Sequence, residues 1–319
     1  MVRKILLCGA TGFIGTNLLE RFSKKENYFI RAVYHKTPPH FHASNIEWVQ
    51  ADLRNISDVK RVVKGVDILM QYAATTTGAK DIVSKPYIHV TDNAVMNSLL
   101  LREAFEQNIK HFIMPSCTIM YRPSSVPLSE KAFDESEEIF STYYGAGNTK
   151  VYLEKMCKFY AGFGRTKHTV LRQSNIYGPH DKFDLDKSHV FGATITKVMT
   201  NNNEVVVWGS GEEERDFLFV DDLINLIEAS ISNQKENYVL VNASFGKSIS
   251  ICGLVNKIIN VSDRKLKIRF DTSKPSIKTK LAIDNSLAKQ KFKWQPKHSL
   301  KIGIKNTILW YNQNILIKG

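Results

Sequence analysis

The chain has 319 residues, of which 43% are hydrophobic and 24% are charged, and its formal net charge is +13. This length supports one large domain or two smaller ones, and the composition excludes a disordered or fibrous protein. Lysines and arginines are spread along the chain rather than gathered in a long run. We therefore expect a solvated basic surface and no nucleic-acid partner.

The cysteine spacing and the length of the apolar segments indicate the cellular compartment of the protein. Cys8, Cys117, Cys157 and Cys252 lie far apart and form no CxxC pair, so we expect neither a disulfide framework nor a metal site. The apolar run near the start is short and leads into glycines rather than a cleavage site. No stretch is long and apolar enough for a membrane span, so we expect a cytoplasmic protein without a membrane partner.

The first half of the chain alternates short apolar strands with helical segments. The predicted strands are KILLCGA, FIRAVYH, IEWVQAD, DILMQYAA and HFIMPSC. The predicted helices cover residues 13–22, 57–63 and 91–107. This βαβ order predicts a parallel sheet with helices on both faces.

The regular alternation ends after a further strand, TVLRQSN. Beyond it come VVVWGSG, a helix near residues 220–230, the strand YVLVNAS and an amphipathic tail. We predict an α/β fold in which a Rossmann-type doubly wound parallel sheet carries a smaller C-terminal α+β substrate domain. The active site is expected in the cleft between them, at the carboxyl edge of the sheet.

A glycine-rich turn, GATGFIG, follows the first strand and opens the first helix. Its three glycines permit a tight turn, a close approach of backbone amides to a pyrophosphate, and close packing of helix on sheet. The helix N-terminus favours the phosphate charge, so we predict a dinucleotide site. The predicted contacts in this turn are Gly9, Thr11, Gly12, Phe13, Ile14 and Gly15.

The residues after the second and third strands indicate which dinucleotide binds. His35 and Lys36 can meet a 2′-phosphate where an acidic residue would select NAD, so NADP(H) is favoured over NAD(H). Asp52 and Leu53 are expected at the adenine. The loop AATTTG is expected to line the cofactor through Ala73, Ala74 and Thr75.

These expectations give a domain division. Residues 1–175, with a returning segment at about 216–245, form the predicted NADP-binding domain. Residues 176–215 and 246–319 form the predicted substrate-binding domain.

With GATGFIG, AATTTG and a Tyr/Lys region, the chain resembles the extended short-chain dehydrogenase/reductase (NAD-dependent epimerase/dehydratase) family. Within it, SNIYGPHDKFD, SHVFGA, VVVWGSGEEERDFLFVDDL and FDTSKPSIKTKLAID are similar to GDP-L-fucose synthases. The resemblance implies an NADP(H)-dependent epimerase/reductase acting on a GDP-linked 4-keto-6-deoxy sugar, in surface glycan precursor synthesis. It also implies a homodimer, formed through helices such as 91–107 and the one after Lys150.

The resemblance implies that a tyrosine donates a proton to the sugar while a lysine lowers its pKa. Lys150 matches the lysine, but Tyr144 lies six positions before it, not four. Six residues of continuous helix turn about 600°, which points Tyr144 away. We therefore expect the glycines of GAGN to let the helix begin near Thr149, with Asn148 as N-cap and Tyr144 on a loop.

Two alternatives stay open at this position. Tyr143 is the second choice for the proton donor. In the other alternative, Ala146 fills the place of the tyrosine, which leaves an epimerase without reduction or no chemistry.

The resemblance further implies a cysteine and a histidine for the protons at C3 and C5. His189 matches the histidine. In PSCTIMY, Cys117 is favoured as the acid/base and Ser116 as the hydrogen-bond donor. Alignment by the distance to VPLSE instead puts Thr118 in the place of the cysteine, and a hydroxyl is a much weaker base than a thiolate.

Residues for the substrate follow from the same resemblance. Arg215 and Lys280 match positions at the diphosphate and sugar, Trp208 can pack against the nucleotide, and Asn175 and Val190 would line the sugar pocket.

Other functions fit the same motifs. One is another nucleotide-sugar 4-epimerase or dehydratase, although SCTIMY lacks the Asp-Glu pair that a dehydratase would normally bring. The other is a non-catalytic NADP- or RNA-binding relative that uses the basic surface.

Overall fold

A computed structural model of the chain describes residues 2–75, 85–185, 188–273 and 280–317. Elements are numbered here in chain order over those residues. The strands are β1 (Arg3–Cys8), β2 (Tyr28–Tyr34), β3 (Ile46–Gln50), β4 (Ile68–Gln71), β5 (His111–Cys117), β6 (Ser124–Leu128), β7 (Lys167–Gln173), β8 (Asn175–Tyr177), β9 (Glu204–Trp208), β10 (Glu214–Phe219), β11 (Tyr238–Ala243), β12 (Ser248–Ser250), β13 (Lys267–Asp271) and β14 (Leu281–Ile283). The helices are α1 (Phe13–Ser23), α2 (Ile56–Val63), α3 (Thr91–Glu106), α4 (Tyr144–Ala161), α5 (Val190–Thr200), α6 (Val220–Asn233), α7 (Ile251–Val261), α8 (Ser286–Phe292) and α9 (Leu300–Tyr311).

The main sheet has seven parallel strands in the order β11-β7-β5-β4-β1-β2-β3. The chain builds outward from β1 in one direction and from β4 in the other, so the topological switch lies between these two strands. Open parallel sheets bind ligands at such a point, beyond the carboxyl ends of the strands. The predicted doubly wound α/β fold is confirmed.

Helices cover both faces of this sheet, which explains the near-continuous apolar strands. Successive β1 side chains point to opposite faces. Ile5 and Leu7 belong to one hydrophobic core, with α1 and α6, while Leu6 and Cys8 belong to the other, with α2 and α3. Each fully buried leucine or isoleucine contributes about 1.5–3 kcal/mol relative to an exposed one.

Smaller sheets follow the main sheet in the chain. A three-stranded sheet has the order β12-β10-β8, and β13 pairs with β9 and β14 with β6. β8 begins two residues after β7 ends and pairs in parallel with β10. These layers therefore start at the carboxyl edge of the main sheet. Within the described ranges, no helix is long and apolar enough to cross a bilayer.

The predicted start of α4 is wrong. The helix begins at Tyr144 rather than near Thr149, after a 3₁₀ turn at Ser141–Tyr143, and Tyr143 is its N-cap. Asn148 lies inside the helix and donates from Nδ2 to the Tyr144 carbonyl oxygen at 2.8 Å. Tyr144 therefore does not lie on a loop.

Close packing explains why the GAGN glycines stay helical. A Cβ at Gly145 would lie 2.9 Å from Val90 Cγ2, and one at Gly147 would lie 2.9 Å from Cγ2 and Cδ1 of Ile139. The glycines thus make room for neighbouring side chains, a need that local sequence does not reveal.

Two histidines are buried on β5 and β7. His111 Nε2 lies 2.7 Å from Thr169 Oγ1, whereas neither ring nitrogen of His168 has a hydrogen-bond partner among the described residues. The His168 ring instead stacks on Phe112 at 5.5 Å between centroids. Burial lowers the pKa of His111 to about 3 and that of His168 to about 4.

We predict that these histidines make the protein acid-sensitive. Both folded-state pKa values lie below the unfolded value near 6.5, so below that pH the unfolded chain binds protons that the folded chain does not. Stability should be complete above about pH 6.5 and fall by up to about 1.4 kcal/mol per pH unit for each histidine as the pH drops to its folded pKa. Urea unfolding from pH 7 to 4.5 should show a shallower loss for His168→Phe, and an unchanged loss for exposed His42→Phe. An equal slope in all three proteins would contradict the prediction.

Candidate active site

The glycine-rich turn between β1 and α1 is shaped by two close approaches. Gly9 has φ +72°, and a Cβ there would lie 2.5 Å from the Tyr72 carbonyl oxygen. A Cβ at Gly15 would lie 2.0 Å from the Gly9 carbonyl oxygen. Gly12 is the N-cap of α1 and donates its amide to Gly9 at 3.0 Å. A larger side chain at the first or third glycine would force the turn and the helix apart.

A cleft of about 460 Å³ opens beside this turn, where β1 to β4 end. Its walls include most of the residues that the sequence predicts for the cofactor: Gly9, Thr11, Gly12, His35, Lys36, Asp52, Leu53, Ala73, Ala74 and Thr75. Phe13 and Ile14 instead pack against the core. The rest of the predicted loop AATTTG, residues 76–78, lies outside the described residues.

At the far end of this cleft, an arginine forms ion pairs with two aspartates. Arg54 donates to Asp52 from Nε at 2.9 Å and from Nη2 at 2.8 Å, and it reaches Asp92 at 3.1 Å. Arg54 holds the pKa of Asp52 at about 2. His35 Nε2 lies 3.7 Å from the same carboxylate, and Lys36 is exposed at the rim. Sequence reasoning missed Arg54 and Asp92; the segment ADLR was the only signal for Arg54.

A second group of side chains lies where β5 ends against α4. Lys150 Nζ donates to the Pro115 carbonyl oxygen at 2.9 Å. Burial lowers the pKa of Lys150, and the nearby Cys117 and Glu154 oppose this shift. Burial raises the pKa of the Cys117 thiol, while the Lys150 charge opposes it. Cys117 and Lys150 are therefore within electrostatic reach of each other.

Tyr143, not Tyr144, joins this group. Burial raises the pKa of Tyr143, the Arg215 guanidinium opposes the shift, and Cys117 adds to it. Tyr143 precedes Lys150 by seven residues, a turn of about 700°, which is about 20° short of two full turns. Tyr144 points about 120° from the Lys150 direction and is 57% exposed.

Ser116 is placed differently from the prediction that it donates a hydrogen bond in the cleft. Its side chain is buried, and its hydroxyl donates to Glu154 Oε1 at 2.5 Å. Glu154 also pairs with Arg172, whose Nη2 is 2.7 Å from Oε2. Successive side chains of β5 alternate between faces, so Ser116 faces this ion pair and Cys117 faces the other way. Thr118 is buried as well.

His189 and Val190 lie at the start of α5. His189 is the N-cap of the helix, and Val190 is its first residue. Burial lowers the pKa of His189, and the charge of Lys182 adds to this. Among the described residues, no hydrogen bond or ion pair joins His189 to Cys117 or Lys150.

Of the remaining predicted substrate residues, Lys280 lies at a second cleft. Arg215, which is coupled to Tyr143, also interacts with the Glu213 charge. Lys280 pairs with Glu214 at 3.4 Å and borders the cleft, whose volume is about 360 Å³. Its lining residues are Pro123, Ser124, Ser125, Ser210, Glu212, Glu213 and Lys280.

Trp208 and Asn175 lie on separate strands. Trp208 ends β9, its ring is 49% exposed, and Lys197 Nζ lies 5.7 Å from the ring centroid. Asn175 on β8 donates from Nδ2 to the Asp216 carbonyl oxygen at 3.0 Å, which ties β8 to β10. No cluster of three or more histidine, cysteine or acidic side chains that could hold a metal ion occurs in the described part of the chain.

Comparison with known proteins agrees with this geometry. A sequence model of the NAD dependent epimerase/dehydratase family matches residues 5–243. GDP-L-colitose synthase of Yersinia pseudotuberculosis is 27% identical over 313 residues, covering 97% of each chain. GDP-mannose 3,5-epimerase 1 of Oryza sativa subsp. japonica is 26% identical, covering 98% of this chain and 82% of that one.

Solved structures share the fold. The UDP-glucose 4-epimerase of Thermotoga maritima, determined with UDP-glucose, aligns with a TM-score of 0.86 at 22% identity, covering 98% of this chain and 99% of that one. The dinucleotide-binding turn, the cleft beside it and the family match over most of the chain agree with one another. The chain therefore belongs to the NAD-dependent epimerase/dehydratase family of enzymes.

Proposed function

We propose that this enzyme is an NADP(H)-dependent epimerase/reductase acting on a GDP-linked 4-keto-6-deoxy sugar, in surface glycan precursor synthesis. The observation that carries the proposal is the position of Lys150 where β5 meets α4, with Nζ donating to the Pro115 carbonyl oxygen at 2.9 Å. Electrostatic interactions link Cys117 to Lys150 and to Tyr143, and Tyr143 to Arg215 of β10. GDP-L-colitose synthase and GDP-mannose 3,5-epimerase, relatives that this chain matches over nearly its whole length, support a GDP-linked substrate.

Tyr143 is the proposed proton donor to the sugar 4-oxygen. Burial raises its pKa, which makes the phenol a weaker acid, and Arg215 rather than Lys150 opposes that rise. The Arg215 charge beside it stabilises negative charge that develops as the proton leaves. The bound nicotinamide supplies the hydride for reduction. Lys150 donates one N–H to Pro115 and retains further donors for the cofactor ribose.

Cys117 and His189 are the proposed acid/base pair at C3 and C5. Carbons next to a ketone carry acidic protons, which a thiolate can remove. Burial raises the pKa of Cys117, which disfavours the thiolate, and the Lys150 charge offsets part of this rise. His189, whose pKa is lowered, is available as a neutral imidazole at neutral pH.

Nucleotide binding is assigned to Arg215, Lys280 and Trp208, of which Lys280 borders the second cleft. Arg215 and Lys280 provide positive charge for the diphosphate. The exposed Trp208 ring offers a stacking surface for the base. Asn175 and Val190 are the proposed lining of the sugar site.

Assembly and location complete the proposal. Val95 on α3 and Tyr152 and Phe159 on α4 are exposed apolar side chains, as is Phe163 just beyond α4. We propose that this surface forms a homodimer interface in the cytoplasm. The division into cofactor and substrate domains at about residue 175 is part of the same proposal.

The first test measures NADPH oxidation and deuterium wash-in at C3 and C5 with GDP-4-keto-6-deoxymannose. Tyr143→Phe should lower reduction by about 100-fold or more because the proton donor is lost, and should leave wash-in intact. The neighbouring exposed variant Tyr144→Phe is the control and should keep reduction within about twofold of wild type. The reverse pattern would return the role to Tyr144. If the wild-type protein shows neither NADPH oxidation nor deuterium wash-in, the GDP-sugar assignment is overturned.

A second prediction distinguishes the roles of Ser116 and Cys117, which are adjacent at the end of β5. Cys117→Ala should abolish wash-in with little change in urea stability. Ser116→Ala should cost about 1–3 kcal/mol of stability because Glu154 loses a buried donor, and turnover should stay within a few-fold of wild type. Each variant is the control for the other. Loss of wash-in in the Ser116 variant alone would assign the chemistry to the serine.

A third prediction concerns the cofactor. Lys36 is exposed at the rim of the first cleft, where Arg54 is already paired with Asp52 and Asp92. Because the Lys36 ammonium can meet a 2′-phosphate, NADPH should bind more tightly than NADH. Lys36→Ala should weaken NADPH about tenfold through loss of a phosphate contact, and should leave NADH unchanged. Fluorescence titration measures both, with exposed Lys301→Ala as the control. Tighter NADH binding in wild type would overturn the choice of NADP(H).

A further inference from the structure

The C-terminal part of the chain carries an unbalanced positive charge. Residues 285–319 contain seven lysines and no aspartate, glutamate or arginine, so they supply +7 of the formal net charge of +13. Lys291 is paired with Glu236 at 2.6 Å. Five other lysines of this segment are exposed and have no ion pair within the described ranges: Lys289, Lys293, Lys297, Lys301 and Lys305. Charge that the protein does not neutralise itself is available to an anionic partner.

Helix α9 lies in this segment and is held against the protein by one face. A Cβ at Gly303 would lie 2.1 Å from the Tyr177 hydroxyl oxygen, so the helix is seated directly on β8. The buried residues of this face are Gly303, Ile304, Thr307, Ile308 and Tyr311. Because this face is packed, α9 cannot rotate to bury its opposite face, which stays in solvent.

The exposed face of α9 combines aliphatic and basic side chains. Ile302 is 48% exposed and Leu309 is 50% exposed, and seven residues of helix, a turn of about 700°, place them on one line. Leu316, in the helical turn that follows α9, is 41% exposed. Lys301 and Lys305 lie within about 100° of Ile302 around the helix axis. These five residues are called the α9 surface below.

The chemistry of the α9 surface restricts its partner. Aliphatic side chains beside lysines on one helix face are typical of helices that lie in the interface of an anionic bilayer. The lysines meet the headgroup phosphates, and the aliphatic side chains enter the boundary of the acyl chains. A second copy of the same surface would bring lysines against lysines, which is repulsive. Nucleic acid would contact the lysines through its phosphates but would give the aliphatic side chains no apolar partner.

We propose that the α9 surface binds reversibly to the face of an anionic lipid bilayer. The helix lies on the bilayer and does not cross it. The expectation of no membrane partner rested on the lack of a spanning segment, and it does not address binding of this kind. None of the five described residues of the α9 surface lines either cleft, so this inference goes beyond the proposed function and does not depend on it.

Co-sedimentation of the full chain with lipid vesicles tests the proposal. Wild type should bind phosphatidylcholine vesicles that contain about 30% phosphatidylglycerol about tenfold more tightly than pure phosphatidylcholine vesicles. Raising NaCl from about 0.1 M to about 0.5 M should release it, because salt screens the lysines. Lys301→Glu/Lys305→Glu should weaken binding to the anionic vesicles about tenfold or more. Ile302→Ser/Leu309→Ser should weaken it to a similar extent, because apolar burial in the bilayer is lost.

A matched charge reversal elsewhere on the protein is the control. Lys60→Glu/Lys64→Glu changes two exposed lysines at the end of α2 and alters the net charge by the same amount. It should leave vesicle binding within about twofold, which accounts for the general attraction of a basic protein to an anionic surface. All three double variants change exposed side chains, so their Tm values should stay within about 4 °C of wild type.

Several results would overturn the proposal. One is a lack of binding of wild type to the anionic vesicles. Equal loss of binding in both lysine variants would assign the attraction to net charge, and unchanged binding of the Ile302/Leu309 variant would exclude contact with the acyl chains. Without vesicle binding, a wild-type dimer that the Ile302/Leu309 variant dissociates would identify a second copy as the partner. Tighter binding to a DNA duplex than to the anionic vesicles, lost in the Lys301/Lys305 variant alone, would identify nucleic acid.

Discussion

The buried ion pair between Arg172 and Glu154 sets the geometry on which the candidate site depends. Both side chains are about 5% exposed, and the pair joins β7 to α4, with the Ser116 hydroxyl of β5 as a third partner. Breaking such a pair by removing one member costs about 3–5 kcal/mol, because the other charge is left buried. The pair therefore holds the helix firmly against the sheet.

That contact also fixes the rotation of α4. Glu154 follows Lys150 by four residues, so the two side chains share a helix face. With Glu154 held by β7 and β5, Lys150 faces the sheet and reaches Pro115. Tyr143, two turns before Lys150, is carried to the same side, next to Arg215 of the smaller sheet. One structural ion pair thus orients groups from both parts of the site.

Sequence patterns were sufficient to predict the main sheet and the glycine-rich turn. Short apolar runs separated by helical patterns admit few arrangements other than a parallel sheet, and the GATGFIG spacing has a local geometric cause. The start of α4 was not predictable in this way. It depends on Val90 and Ile139, which lie outside α4 and pack against Gly145 and Gly147 near its start.

The chemical roles of polar residues were harder to predict for a similar reason. Ser116 has the expected type for a hydrogen-bond donor in the cleft, but a buried carboxylate takes its hydroxyl. The sequence carries no signal that the Glu213 carboxylate is buried without a hydrogen-bond partner among the described residues, because this depends on its surroundings. Charged residues reveal their role through their neighbours, and those neighbours come from distant parts of the chain.

The position of Tyr143 at the first cap of α4 has a consequence for the depth at which a sugar would be held. A tyrosine four residues before Lys150 and one seven residues before it lie about 60° apart around the helix axis and differ by about 4.5 Å along it. The phenol is displaced by that amount toward the end of α4 nearest Arg215, while the lysine stays in place. A sugar that meets both this phenol and the nicotinamide must bridge a longer span, so its ring would tilt or shift toward the smaller sheet. The spacing of two residues in the chain thereby becomes a constraint on substrate shape.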